Sequence, residues 1–218
     1  MTDSGSYDLQ CTRCPRLAGF LREVRKEYPQ YHARPVAPFG DPSPRLLIVG
    51  LAPGMHGANR TGRPFTGDHA GILLYATLHA AGLASQPESL SAGDPLRLAG
   101  VRITNAVKCL PPANKPQPDE IRRCNGFLRQ ELVALAGWRA ILALGRVAHE
   151  AVLAALELRR GGFVFAHAAE HALPGGGVLI DSYHCSRYNT QTRRLTTPMF
   201  EQVVFRARDL AGLGRARS

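Results

Sequence analysis

RLLIVGLAPGMHGANRTGRPFTGDHAG, residues 45–71, decides how the rest of the chain is read. Leu46-Leu47-Ile48-Val49 is an uninterrupted apolar run, the pattern of a strand buried on both faces in a parallel sheet. Gly50 ends it, and a long loop rich in Gly, Pro, Asn, Thr and Arg follows before Asp68 opens an apolar-periodic helix. Open α/β sheets place ligands at the carboxyl ends of such strands. Glycines let backbone approach a ligand closely. Arg60 and Arg63 add positive charge and Phe65 an aromatic face, a combination that suits a nucleotide with its phosphates outside and its base stacked inside.

Working outward, the pattern repeats. Ile72, Leu73, Tyr75, Ala76, Leu78 and His79 predict a buried helix ending at Gly82, with a polar loop over 84–100. A second strand spans 101–107 and leads into Lys108-Cys109-Leu110-Pro111-Pro112. Pro116, Pro118, Asp119 and Glu120 signal a helix start, and Ile121, Cys124, Leu128, Leu132 and Leu135 mark its apolar face. A third strand is expected over 140–145, a helix over 147–156, a short edge strand over 163–165, a fourth strand over 177–183 and a last helix from about 198 to 210. Upstream, Leu17, Phe20, Leu21 and Val24 predict a helix over 16–27, and 28–44 is Pro-rich and irregular. Strands alternating with helices imply a mainly parallel sheet covered on both faces. Three loops then converge: after Gly50, after Asn105 and at His184-Cys185-Ser186-Arg187-Tyr188-Asn189.

The 218 residues carry a net charge of +10, from 27 basic side chains of which only Lys26, Lys108 and Lys115 are lysines. Arginine forks bind phosphate in bidentate fashion, so a polyanion, most simply nucleic acid, is the expected partner. The first ten residues are polar and no apolar run approaches a membrane span, so the expected location is the cytoplasm. The expected organisation is one domain over 1–218, with a Cys-containing N-terminal segment to about 44 and a frayed tail from about 210. Five cysteines follow the pattern C-x2-C (Cys11, Cys14), 94 residues, C-x14-C (Cys109, Cys124), with Cys185 left over. Four thiolates can hold zinc or an iron–sulfur cluster, and the spacing alone does not choose.

GLAPGMHGANRTGRPFTGD at 50–68, ITNAVKCLPP at 103–112 and HCSRYNTQT at 184–192 resemble the three motifs of the uracil-DNA glycosylase superfamily. The cysteine spacing is similar to that of its iron–sulfur families 4 and 5, and the Gly57-Ala58-Asn59-Arg60 insertion in the first motif and the HCSRYNTQT ending resemble family 5 best. The resemblance implies an α/β/α sandwich around a four-stranded, mainly parallel sheet, and a [4Fe-4S] cluster on Cys11, Cys14, Cys109 and Cys124 clipping the N-terminal segment. It implies hydrolysis of the N-glycosidic bond of a flipped uracil, and of other deaminated or damaged bases, in double-stranded DNA. The protein is expected to act as a monomer.

The same resemblance assigns site residues. Asn105 would read the base edge, Phe65 would stack on it, and His184 would contact the oxygen where charge develops on departure. Much of the superfamily has a polar residue where Leu51 and Ala52 stand, so Asp68 is the expected water-orienting group, with a helix N-cap as its competing role. Gly50, Ala52 and Gly54 would line the pocket, with Asn114 and His56 as weaker candidates. Gly54 leaves room where stricter enzymes carry a bulky ring. Arg60, Arg63, Arg187 and Tyr188 are the expected DNA contacts. Two other classes remain compatible with the charge and cysteines: a non-catalytic iron–sulfur nucleic-acid-binding protein or redox sensor, and a nucleotide-binding oxidoreductase. The second lacks a G-x-G-x-x-G turn after the first strand.

Overall fold

The structure, a computed structural model, describes residues 7–135 and 137–214. Its strands are β1 (Phe39–Gly40), β2 (Leu46–Gly50), β3 (Val101–Asn105), β4 (Ala140–Leu144), β5 (Glu170–Ala172) and β6 (Val178–Ser182). They form one six-stranded sheet in the order β1-β3-β2-β4-β6-β5. The inner strands β3, β2, β4 and β6 are parallel, and β1 and β5 pair antiparallel at the two edges. The expectation of four strands is therefore corrected to four parallel strands with two short antiparallel edges.

Side-chain alternation builds the layers. Leu46, Ile48, Leu142 and Leu144 point to the face covered by α3 (His69–Ala80) and α7 (Thr197–Leu210). Leu47, Val49, Ile141 and Ala143 point to the face covered by α4 (Pro118–Ala134) and α5 (Arg146–Ala155). Both faces of β2 and β4 are buried, which is why these strands read as continuous apolar runs. The Cys-bearing α1 (Pro15–Glu27) packs Leu17, Leu21 and Val24 against Val107, Leu110 and Phe127. Arg16 ties it further, with Nε and Nη2 donating to the Glu120 carboxylate at 2.8 and 2.7 Å.

The edge expected at 163–165 is not a strand. Those residues follow a 3-10 turn (Arg160–Gly162), and Phe163 and Phe165 pack edge-on against His171 and His149. Buried charge is paired on both flanks. Glu131 accepts from Arg102 Nε at 2.9 Å, Thr104 Oγ1 at 2.8 Å and Lys108 Nζ at 3.3 Å. Asp181 bridges His149 Nδ1 at 2.8 Å and His171 Nε2 at 3.1 Å. The C-terminal stretch is ordered further than expected: Leu213 packs on the α3/α7 face and its N–H donates to Arg208 O, while 215–218 lie outside the described residues. No helix among the described residues is long and apolar enough to cross a membrane.

Candidate active site

The parallel strands all aim their carboxyl ends the same way, and a cavity of about 540 Å3 opens there. It is lined from four strand ends: Leu51, Ala52 and Gly54 after β2, Asn105 at the end of β3, Leu144–Val147 after β4, and His184, Ser186 and Arg187 after β6. Phe65, Asp68, His69 and Asn114 complete the wall. The loop after β4 is a contribution the sequence reading missed. Its signal was Gly145 closing the third strand as Gly50 closes the first.

Gly50 backs the pocket rather than lining it. A Cβ there would stand 2.5 Å from Asn105 Oδ1 and 2.6 Å from the Phe65 ring, so only glycine lets amide and ring meet. Phe65 is buried, at φ +53°, a left-handed conformation that is strained for a bulky residue. Its surroundings hold it there. Tyr75 Oη, whose phenol burial pushes up to about 12, donates to Pro64 O at 2.8 Å, and Thr61 Oγ1 donates to Thr66 O at 3.2 Å. The ring stacks on His184 at an interplanar angle of 28°, centroids 6.0 Å apart.

Asn105 is 4 % exposed and its Oδ1 accepts no hydrogen bond among the described residues. A buried orphan acceptor costs about 1–3 kcal/mol, and this one lies in the wall of a cavity, where a ligand donor would satisfy it. Asp68 divides its carboxylate. Oδ1 accepts the Gly71 N–H at 2.9 Å as the N-cap of α3, while Oδ2 takes no protein donor among the described residues and faces the Gly54–Gly57 turn. Burial pulls the His184 imidazole below its ordinary value, opposed by the nearby Asp68 carboxylate, which favours the neutral ring. Asn189 Nδ2 donates to His184 O at 2.8 Å, and His69 Nε2 meets Thr190 Oγ1 at 3.0 Å, joining the first and third motifs.

Three expected contacts are placed differently. Arg63 does not reach the surface: it is 5 % exposed, its Nη1 bonds Ser89 Oγ at 3.1 Å and pairs with Asp94, and its guanidinium stacks on Phe39. It clamps the 85–99 loop to the first motif and is not a phosphate contact. Arg60, on the short α2 (Ala58–Thr61), stays exposed but donates to His56 O at 2.7 Å and Gly67 O at 3.4 Å, closing its own loop. His56 lies outside the pocket, with Nδ1 at 3.0 Å from Tyr31 Oη. Arg187 stands at the pocket mouth and Tyr188, on α6 (Arg187–Gln191), is 71 % exposed.

Cys11, Cys14, Cys109 and Cys124 line one small cavity between α1, the β3 loop and α4. Burial pushes the Cys14 thiol up to about 11 and raises Cys109 and Cys124 as well, while the Lys108 N–H donates to Cys124 Sγ at 3.3 Å. Among the described residues no three of these sulfurs lie within 4.8 Å of one another. Cys185 is fully buried in the opposite layer, away from these four.

A sequence model of the uracil DNA glycosylase superfamily matches residues 37–208. The type-5 uracil-DNA glycosylase of Thermus thermophilus is 54% identical over 208 residues, covering 93% of this chain and 94% of that protein. Its counterpart from Pyrobaculum aerophilum is 41% identical over 97% of this chain and 96% of its own length. A type-4 enzyme of the same organism is 34% identical over 66% of this chain and 59% of its own. With the motif loops converging on one pocket and relatives matched nearly end to end, the chain belongs to the uracil DNA glycosylase superfamily of hydrolases, in its type-5 branch.

Proposed function

We propose that this protein flips uracil, and other deaminated or damaged bases, out of duplex DNA and hydrolyses the N-glycosidic bond to leave an abasic site. The observation that carries this reading is the meeting of Phe65, the unpartnered Asn105 Oδ1, neutral His184 and the free Asp68 Oδ2 in one cavity at the strand ends. Phe65 offers the flipped base a face and Asn105 pairs with its edge. The neutral His184 donates a hydrogen bond to the base oxygen as the bond to the sugar breaks and its electron pair passes to the base. Asp68 Oδ2 orients one water toward the sugar carbon and takes its proton as the new C–O bond forms. The cavity exceeds what a pyrimidine fills, and Gly54 adds no side chain to narrow it, which favours acceptance of larger bases.

The convergence of Cys11, Cys14, Cys109 and Cys124 on one cavity supports a [4Fe-4S] cluster held by these four thiolates. Buried thiols resist ionisation, and a bound cation supplies the compensating charge. The cluster's contribution would be structural, joining α1 to the β3 loop and α4. The function is tested by incubating the protein with uracil- and hypoxanthine-containing duplexes, treating with alkali and looking for strand breaks. Breaks at both bases are expected. DNA binding without breaks would leave the non-catalytic reading.

A further inference from the structure

A second cavity, of about 310 Å3, adjoins the first and shares Gly145, Arg146 and His184 with it. Its character differs. Arg146 and Arg194 face it, together with Asn189, and no carboxylate lines it. Neither guanidinium makes an ion pair or donates a hydrogen bond among the described residues, whereas Arg16, Arg63, Arg102, Arg129 and Arg206 are all paired with acids. Each instead lies against an aromatic ring. Arg146 Cζ is 5.6 Å from the Phe165 centroid and Arg194 Cζ 4.6 Å from that of Tyr183. Tyr183 in turn stacks with His167, centroids 5.1 Å apart. The rings hold the guanidinium planes in place while leaving their N–H edges free. Arg146 also sits in the first turn of α5, where Gly145 provides no side-chain cap, so its charge adds to the positive end of that helix and is stabilised by a nearby anion.

Resting on the glycosylase reading, we infer that this notch seats a backbone phosphate of the damaged strand, next to the uridine whose base occupies the main pocket. A nucleotide carries its base and its phosphates on different sides of one sugar, and the two cavities meet along a shared wall. The first offers a ring, an amide and an imidazole, and the second offers two free guanidiniums. Both aromatic faces of the notch are already covered by cations, so it presents charge rather than a stacking surface for a second base. A phosphodiester held there would fix the sugar between Asp68 and His184, an anchoring role that buried Arg63 cannot supply.

The test combines side-chain and phosphate neutralisation in the cluster-loaded protein. The probes are duplexes bearing 2′-fluoro-2′-deoxyuridine, which resists cleavage, with a neutral methylphosphonate replacing one phosphate at a time on either strand. On the unmodified duplex, Arg146→Gln and Arg194→Gln are each expected to reduce the affinity lost between 50 and 200 mM salt by about three-fold, the loss of one phosphate contact. Both side chains are exposed, so melting should be unchanged. On the duplex neutralised at one phosphate flanking the uridine, both substitutions should have no further effect. If their effects persist undiminished on every damaged-strand methylphosphonate, or vanish only on the opposite strand, the inference is overturned. Uracil excision by the wild type is scored separately, so failure of the glycosylase reading is distinguishable from failure of the notch.

Discussion

Gly50 lacks a side chain because two others need its space: Asn105 Oδ1 and the Phe65 ring would lie 2.5 and 2.6 Å from a Cβ. Gly50→Ala should therefore displace both, destabilising the fold by about 1–3 kcal/mol and lowering the uracil excision rate further than that loss accounts for. Denaturant melts and single-turnover rates check this together, and an unchanged rate would mean that Asn105 and Phe65 need not touch. His184 and His167 give a pH signature. Burial lowers both imidazoles, so below the unfolded histidine pKa of about 6.5 the unfolded chain binds more protons and stability falls with falling pH. His184→Gln should flatten part of that decline. Equal slopes for variant and wild type in unfolding free energy against pH would contradict it. The motifs exposed Gly50, Asn105, Phe65 and His184 in the sequence, but neither His167 nor the burial of Arg63. An arginine in a polar loop looks like a surface cation until Asp94, Ser89 and Phe39, each distant in sequence, are seen closing over it.

At the level of elements, β2 and β4 were legible because burial on both faces writes an unbroken apolar run, while β3 (VRITN) and β6 (VLIDS) showed as shorter apolar stretches carrying polar residues. The edges were not. β1 is two residues in a Pro-rich stretch, and β5 reads Glu-His-Ala, with no apolar alternation. The aromatic run at 163–165 looked more like a strand, but its rings pack on the His149–Asp181–His171 group instead of pairing. The 85–99 loop is held to the first motif chiefly through Arg63. Arg63→Met should leave Asp94 with no partner cation and cost about 3 kcal/mol, seen as a lower denaturation midpoint. The salt dependence of DNA binding should not change, because Arg63 touches no phosphate. A shallower salt slope would return it to the DNA surface.

Across the whole molecule, two sites join segments far apart in sequence. The cysteine cavity links α1 to the β3 loop and α4, so protein carrying a cluster should be brown, and removing iron with a chelator should lower the melting temperature. Cys185→Ser should leave the colour unchanged, since Cys185 lies in the opposite layer. The main pocket gathers four strand ends, and the proposed chemistry turns on one carboxylate, whose Oδ1 caps α3 while Oδ2 faces the Gly54–Gly57 turn. Asparagine caps a helix about as well as aspartate but cannot take a proton from water. The most direct measurement is single-turnover uracil excision by Asp68→Asn at saturating enzyme, with melting and DNA affinity followed in parallel. A loss on the order of a hundred-fold in rate, with melting and affinity near wild type and partial recovery on adding Ala52→Asp, is the expected result. A rate near wild type would make Asp68 only a cap and contradict this account of how water is activated.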